Sequence, residues 1–477
     1  MNSKIKQYLN QGLIYAFGSG MDAIVGFLVL PIYTSSFSTT EYGIFSLLVL
    51  VSTLSQSFFY LGASSSLSRS YFDYKSQDER KKVATTSLYL TIFGAIFQIL
   101  FGIIFAKEFS LFFFNSSEYE IHFIIILCSS AFRFTSQIFY LLLRLLLKAS
   151  QMVFVSILSN VIFLSSLLYL LNNYDLGVLS PILSLFIANL ISLFTLFLIT
   201  KKYFSLIPNF NEFIIQIKFG LPQILIGFFY YSIDWIDRYF INEFLTLSDV
   251  GIYSFGYKIG MLIHIGYIMP FSKIWVPIRS EHLNSKNLDK LNSKVFTYFY
   301  LFGSIFSFFI ILFIDQVVFL FSSGSAEFSS SKFVIPFVLL GHLFFGMINI
   351  LDIGIFKSRK PIFSALLLFL HIPINIILNI LLLPKIGYIG AAISTLITYL
   401  SLSIFTLIIS NRFLYIKYEY KNILIITLIL FAFSFLSFST SFSTGINLFD
   451  KLILLVLFIS FCYYFFNEEI HRTIQKL

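Results

Sequence analysis

The chain has 477 residues, 58% of them hydrophobic and only 12% charged, with a formal net charge of +9. That much apolar surface cannot be wrapped into a water-soluble globule, so the composition excludes a soluble enzyme or binding domain and defines an integral membrane protein.

Apolar runs of roughly 20 residues recur along the chain, the length at which a helix rising about 1.5 Å per residue crosses about 30 Å of hydrocarbon. They predict fourteen membrane helices at about 11–32, 42–62, 83–106, 121–143, 151–171, 178–200, 218–240, 251–271, 295–314, 333–355, 362–383, 386–410, 422–438 and 446–466. Lys4 and Lys6 precede the first run as they would in a signal peptide. The run is too long for one and no small-residue cleavage site follows, so it reads as an uncleaved first helix. Cys128 and Cys462 both fall within spans and imply neither a disulfide framework nor a metal site.

Within helix 1, Asp22 has Gly18 and Gly26 one turn to either side, on a face suited to close packing or to lining a cavity. Helix 2 opens on Ser38-x-x-Glu41 and helix 8 on Thr246-x-x-Asp249, each an N-cap hydroxyl followed by an acid three residues later. The surrounding stretches STTEYGIFSL and TLSDVGIYSF are alike, Arg69-Ser70 matches Arg279-Ser280, and Phe194-Thr195-Leu196 matches Phe405-Thr406-Leu407. All lie near an offset of 210 residues. Six helices separate equivalent points, an even number, which predicts a parallel repeat of two six-helix lobes, an architecture of alternating-access transporters. The expected lobes are 1–204 and 205–412, with two further helices in 413–477.

Helix 4 carries Arg133 twelve residues into its span, and helix 8 carries Lys258 seven residues in. A cation at such depth costs about 2.5 to 3.5 kcal/mol, so each calls for a watered cavity or a partner. An anionic ligand would serve. So would an ion pair with Asp22 for Arg133, or snorkelling to the outer interface for Lys258. Asp234, Asp237 and Arg238 cluster at the outer end of helix 7, where Asp234 and Arg238 are spaced for a self-satisfied ion pair. His264 in helix 8, His342 in helix 10 and His371 in helix 11 are the deep titratable imidazoles, read as packing residues or as switches. Asn375 and Asn379 share a face of helix 11 and either line a polar groove or glue helices together.

Twenty-five of the 32 lysines and arginines lie at the two termini and in alternate loops, against five (Lys107, Arg238, Lys332, Lys385, Lys451) on the other side. Basic loops stay cytoplasmic, so fourteen crossings with both termini inside are expected. The positive charge thus records topology and gives no case for nucleic acid. Segments between spans reach only about twenty residues, too short for a catalytic domain, and offer no phosphate cradle, metal-ligand set or nucleophile elbow. No cofactor and no metal are expected.

Leu61-Gly62 through Ser68-Arg69-Ser70-Tyr71-Phe72-Asp73, Ile236-Asp237-Arg238-Tyr239-Phe240-Ile241 and Asp249-Val250-Gly251-Ile252-Tyr253-Ser254 resemble the polysaccharide exporters of the multidrug/oligosaccharidyl-lipid/polysaccharide (MATE-like) superfamily, specifically O-antigen-type flippases. The resemblance spans essentially the whole chain and implies a plasma-membrane protein that turns a polyprenyl-diphosphate-linked oligosaccharide from the cytoplasmic to the outer leaflet. The partners implied are that lipid-linked substrate, membrane lipids and a polysaccharide polymerase. Arg133, Lys258, Asn375 and Asn379 are the expected substrate-binding residues, and Asp22 and His264 the expected ion-coupling ones. The drug-exporting branch couples transport to an ion through an acid in helix 1, where Asp22 stands without the surrounding motif. A cation-coupled drug antiporter of the same fold would want an acidic cavity, and a membrane polymerase or ligase a large outer loop rich in Arg or His. The outer loop here offers only Lys107, Glu108, Glu118, Glu120 and His122.

Overall fold

The computed structural model describes residues 3–443 and 448–474, and every regular element among them is helical. The α-helices are α1 (Ser3–Ser36), α2 (Thr39–Phe59), α3 (Ala63–Ser70), α4 (Gln77–Phe114), α5 (Glu120–Leu145), α6 (Ala149–Asn173), α7 (Leu179–Thr200), α8 (Phe210–Phe244) and α9 (Leu247–Gly260). They continue with α10 (Met269–Glu281), α11 (Leu288–Leu312), α12 (Ile314–Phe321), α13 (Ile335–Leu351), α14 (Ile353–Lys357), α15 (Ile362–Ile386), α16 (Tyr388–Phe413), α17 (Tyr420–Ser443) and α18 (Leu448–Ile474). Each of the fourteen predicted runs is helical over most of its length, and ten helices among the described residues are long and apolar enough to cross a membrane, so the all-helical membrane architecture stands as expected.

The helices form two compact units, Met1–Gly251 and Ile252–Leu477. In the first, α5 is sandwiched between α4 and α7. Its buried face contributes Ile138, Phe139, Leu142 and Leu143 to a core shared with Leu67, Val83, Val155 and Leu196. On the outside of α4, Phe93, Phe97, Leu100 and Ile104 are exposed. Lipid tails are as apolar as these side chains, so a membrane helix can present them outward without cost.

Helix α8 lies along α2, α3 and α4. At one end Gln216 accepts from the Ser87 hydroxyl at 2.7 Å, and Tyr74 donates to Glu212 at 2.8 Å, a bond to a carboxylate that raises the phenol above its ordinary pKa. At the other end the Asn242 amide donates to the Phe113 carbonyl at 2.8 Å.

The repeated entrances of helices 2 and 8 are built alike and meet each other. Ser38 caps α2 with Glu41 bonding back to the Ser38 amide at 2.9 Å, and Asp249 bonds back to the Thr246 amide at 3.2 Å and to its hydroxyl at 2.6 Å. Between the two, the Thr39 and Ser248 hydroxyls lie 2.7 Å apart. A Cβ added to Gly43 would stand 2.1 Å from the Leu247 carbonyl oxygen, and one added to Gly251 would stand 1.8 Å from that of Thr39. The contact is reciprocal, and only glycine permits it at either position.

Left-handed backbone repeats as well. Asn115 and Ser323, Leu147 and Arg359, and Gly177 and Gly387 all have positive φ, at separations of 208, 212 and 210 residues. At the second pair even the hydrogen bonds coincide: Leu147 N to Arg144 O and Lys148 N to Leu143 O in one, Arg359 N to Phe356 O and Lys360 N to Ile355 O in the other. Three predicted spans are interrupted. Helix 2 stops at Phe59 and turns through left-handed Leu61 and Gly62 into α3, helix 8 contains a π-helical turn at His264–Ile268, and helix 10 breaks between Leu351 and Ile353.

Candidate functional site

In the first unit a polar seam runs between α1, α5, α6 and α7. Asp22 on α1 is exposed and its Oδ1 accepts two hydrogen bonds from α6, from the Ser156 hydroxyl at 2.5 Å and the Asn160 amide at 2.7 Å. These donors are one helical turn apart, so a single carboxylate spans them. Across the seam, the Tyr140 hydroxyl on α5 lies 3.3 Å from that of Ser192 on α7 and within electrostatic reach of Asp22. One face of α5 carries Ser129, Arg133, Gln137, Tyr140 and Arg144 at helical spacing. Ser129 accepts from Asn189 of α7 at 2.9 Å, and Arg144 is within electrostatic reach of Tyr15 on α1.

Arg133 lies two turns from Tyr140 on that face. It is exposed, and among the described residues it makes no ion pair or hydrogen bond. The alternative of an Arg133–Asp22 pair is therefore not realised: Asp22 is held by a hydroxyl and an amide instead. A guanidinium with five donors and no protein acceptor is suited to a planar, multidentate anion.

The C-terminal end of α8 is pinned by aromatic stacking, Trp235 on Tyr239 at 5.1 Å and Tyr239 on Phe112 at 5.8 Å. Asp237 is fully buried there, and Arg238 is half-buried within electrostatic reach of Tyr42. The Asp234 side chain, the third member of the expected ion-pair cluster, lies outside the described residues.

In the second unit Lys258 is half-buried on α9. Its neighbour Tyr257 reaches His342 on α13 at 3.2 Å, and the His264 ring faces His342 at 5.4 Å between centroids. Asn375 and Asn379 are completely buried. The Asn375 amide lies 3.4 Å from the Thr398 hydroxyl of α16, and the Asn379 amide donates to the Asn375 carbonyl at 3.0 Å. With His371, whose Nδ1 is 2.7 Å from the Leu367 carbonyl, they form a polar stripe along the α15–α16 contact, the arrangement expected of helix glue. Arg279 and Asp352 form a 2.6 Å ion pair, with the guanidinium also donating to the Asn349 carbonyl at 2.8 Å and lying 4.3 Å over the Phe356 ring.

Sequence reasoning missed Ser156, Asn160, Tyr140 and Asp352. The first two are an i, i+4 polar pair inside an apolar run, a signal open to inspection. The others are ordinary in their local sequence and become notable only through partners on other helices.

The described residues form an all-helical bundle whose capping boxes and left-handed turns recur about 210 residues apart. The chain matches the polysaccharide biosynthesis protein family across residues 9–283, more than half its length, and belongs to that family. Its fold is similar to that of the lipid II flippase MurJ in an inward closed conformation, with a TM-score of 0.79 and 16% identity over 96% of this chain and 100% of that one. It is also similar to a multidrug resistance MATE family transporter of the MOP superfamily in an inward-facing conformation (TM-score 0.63, 15% identity, 84% of this chain and 93% of that one). A Vibrio cholerae MATE transporter, VcmN, gives a TM-score of 0.62 and 12% identity over 85% of this chain and 96% of that one. No curated protein matches the chain. The fold is thus one shared by a lipid II flippase and by MATE transporters.

Proposed function

We propose that the protein is a flippase that carries a polyprenyl-diphosphate-linked oligosaccharide from the cytoplasmic to the outer leaflet of the plasma membrane, for assembly of an O-antigen- or capsule-type surface polysaccharide. Membership of the polysaccharide biosynthesis family, joined to a fold shared along nearly the whole chain with a lipid II flippase, is the observation that carries the reading. Arg133, exposed and without an ion pair among the described residues, supports an anionic cargo. In this reading Arg133 and Lys258 attract the diphosphate, the hydrophobic tail stays in lipid, and the lobes 1–204 and 205–412 rock to expose the head group alternately to each side. Asp22 serves as a cation-coupling carboxylate. Asn375 and Asn379 join the sugar-binding surface only where α15 and α16 part, and a polysaccharide polymerase receives the product outside.

Loss of a cation paired with diphosphate removes a charge-assisted hydrogen bond of roughly 1.5 to 3 kcal/mol, so affinity falls about ten- to a hundredfold. Arg133→Ala and Lys258→Ala are expected to express normally and to accumulate lipid-linked repeats on the cytoplasmic face. Arg133→Lys rescues only in part, since lysine keeps the charge but loses the planar fork. Normal export of surface polysaccharide by both well-expressed alanine variants would overturn the cationic-site mechanism.

A further inference from the structure

The eighth crossing departs from α-geometry where it carries a histidine. His264–Ile268 form a π-helical turn between α9 and α10. Such a turn holds one residue more than the α-helix around it, and these turns concentrate at functional positions. His264, at its start, meets His342 of α13 with an interplanar angle of 66°. His342 is 2% exposed. Its Nε2 faces the Tyr257 hydroxyl, its ring centroid lies 5.5 Å from those of Tyr257 and Tyr399, and among the described residues its Nδ1 has no hydrogen-bond partner.

Among the described residues the surroundings of His342 supply no counter-charge. From α9 come Tyr253 and Tyr257, with Lys258 one residue further on; from the π-turn, His264 and Tyr267, whose hydroxyl donates to the Phe299 carbonyl at 2.7 Å. From α16 comes Tyr399, and α11 offers Tyr300, whose hydroxyl lies 2.9 Å from that of Thr427. No carboxylate among the described residues faces His342. Asp352 is ten residues further along this crossing, about 15 Å by helical rise, and is held by Arg279.

We propose that His264 and His342 form a proton-binding site of the second unit, which takes up one proton from hydronium in a hydrated stage of the transport cycle and returns it to departing water before the site closes into the conformation in which His342 is buried. A neutral imidazole has a lone pair on one ring nitrogen. The arriving hydronium ion gives its proton to that lone pair and leaves as water. Burial disfavours imidazolium, and two imidazolium rings this close repel, so the pair holds a single proton. Converting the π-turn to α-geometry would take one residue out of the turn and rotate the downstream helix by about 100°, and His264 stands at the start of that turn.

The site deepens the flippase reading and rests on it for its role, so two readouts are needed. Full-length protein is reconstituted in vesicles with a fluorescent polyprenyl-diphosphate disaccharide, and its distribution between leaflets is measured with and without a pH gradient. One proton per cycle shifts that distribution about tenfold per pH unit. His342→Gln and His264→Gln are each expected to abolish the shift. If the wild type moves no probe, the flippase reading fails by itself. Infrared titration of the purified protein from pH 8 to 5 then tests the site directly. One imidazolium signal should be lost in either variant and kept in His371→Gln. Full gradient response in both folded variants, or an unchanged imidazolium signal in both, overturns the proposal.

Discussion

At the scale of the residue, the carboxylate of Asp22 is the most informative group in the first unit, because it sits exposed in a polar seam yet is already met by Ser156 and Asn160. An asparagine there keeps a carbonyl oxygen for the Ser156 hydroxyl and loses only the charge, so folding should change by no more than about 1 kcal/mol. As a cation-coupling group Asp22 is nevertheless expected to be indispensable to coupling: Asp22→Asn should slow transport in vesicles and flatten its response to an imposed sodium gradient. An unchanged response would make Asp22 a packing residue. Its glycine-flanked position was legible from helix 1 alone, whereas its donors lie 134 and 138 residues further along the chain. The Arg279–Asp352 pair was hidden for the same reason, its members standing 73 positions apart. Local sequence announces a buried charge but does not say what answers it.

At the scale of the element, helix positions followed from hydropathy, and the capping boxes followed from two hydroxyl-acid spacings. The interruptions did not. A π-turn adds a residue to an apolar run without changing its polarity, and left-handed Leu61 is a residue type that rarely marks a turn. The meeting of α2 and α9 was likewise invisible, since glycine at 43 and at 251 reads as ordinary helix content until the opposing carbonyl is seen. The close hydroxyls of Thr39 and Ser248 make this contact testable. In a background lacking Cys128 and Cys462, the double variant Thr39→Cys, Ser248→Cys is expected to crosslink under mild oxidant, to stop export and to recover with reductant. Adding Gly43→Ala should lower the crosslinking yield at least severalfold. Free export by the crosslinked protein would show that these helices need not part during transport.

At the scale of the molecule, the all-helical membrane architecture was legible because a bilayer imposes one length on every crossing. The orientation rests on the asymmetry of basic residues. Reporters fused after Asn173, Asn287 and Leu477 test it: Asn173 is expected outside and the other two inside, and any reversal would overturn the orientation. On the flippase reading proposed above, the identity of the cargo would leave no trace in spacing or hydropathy, because a mobile cargo is bound by scattered side chains on several helices rather than by a contiguous motif.

The reciprocal glycines carry a consequence for how this gene can drift. The stretches around Gly43 and Gly251 share three residues in ten, and one of those three is the glycine whose replacement would strike the opposite strand of chain. Neither copy can acquire a side chain alone, and acquiring one in both doubles the clash instead of relieving it. Selection therefore holds the two positions jointly, as it would hold two genes whose products must dock. Likeness between these two stretches is in that sense a record of touching as much as of descent.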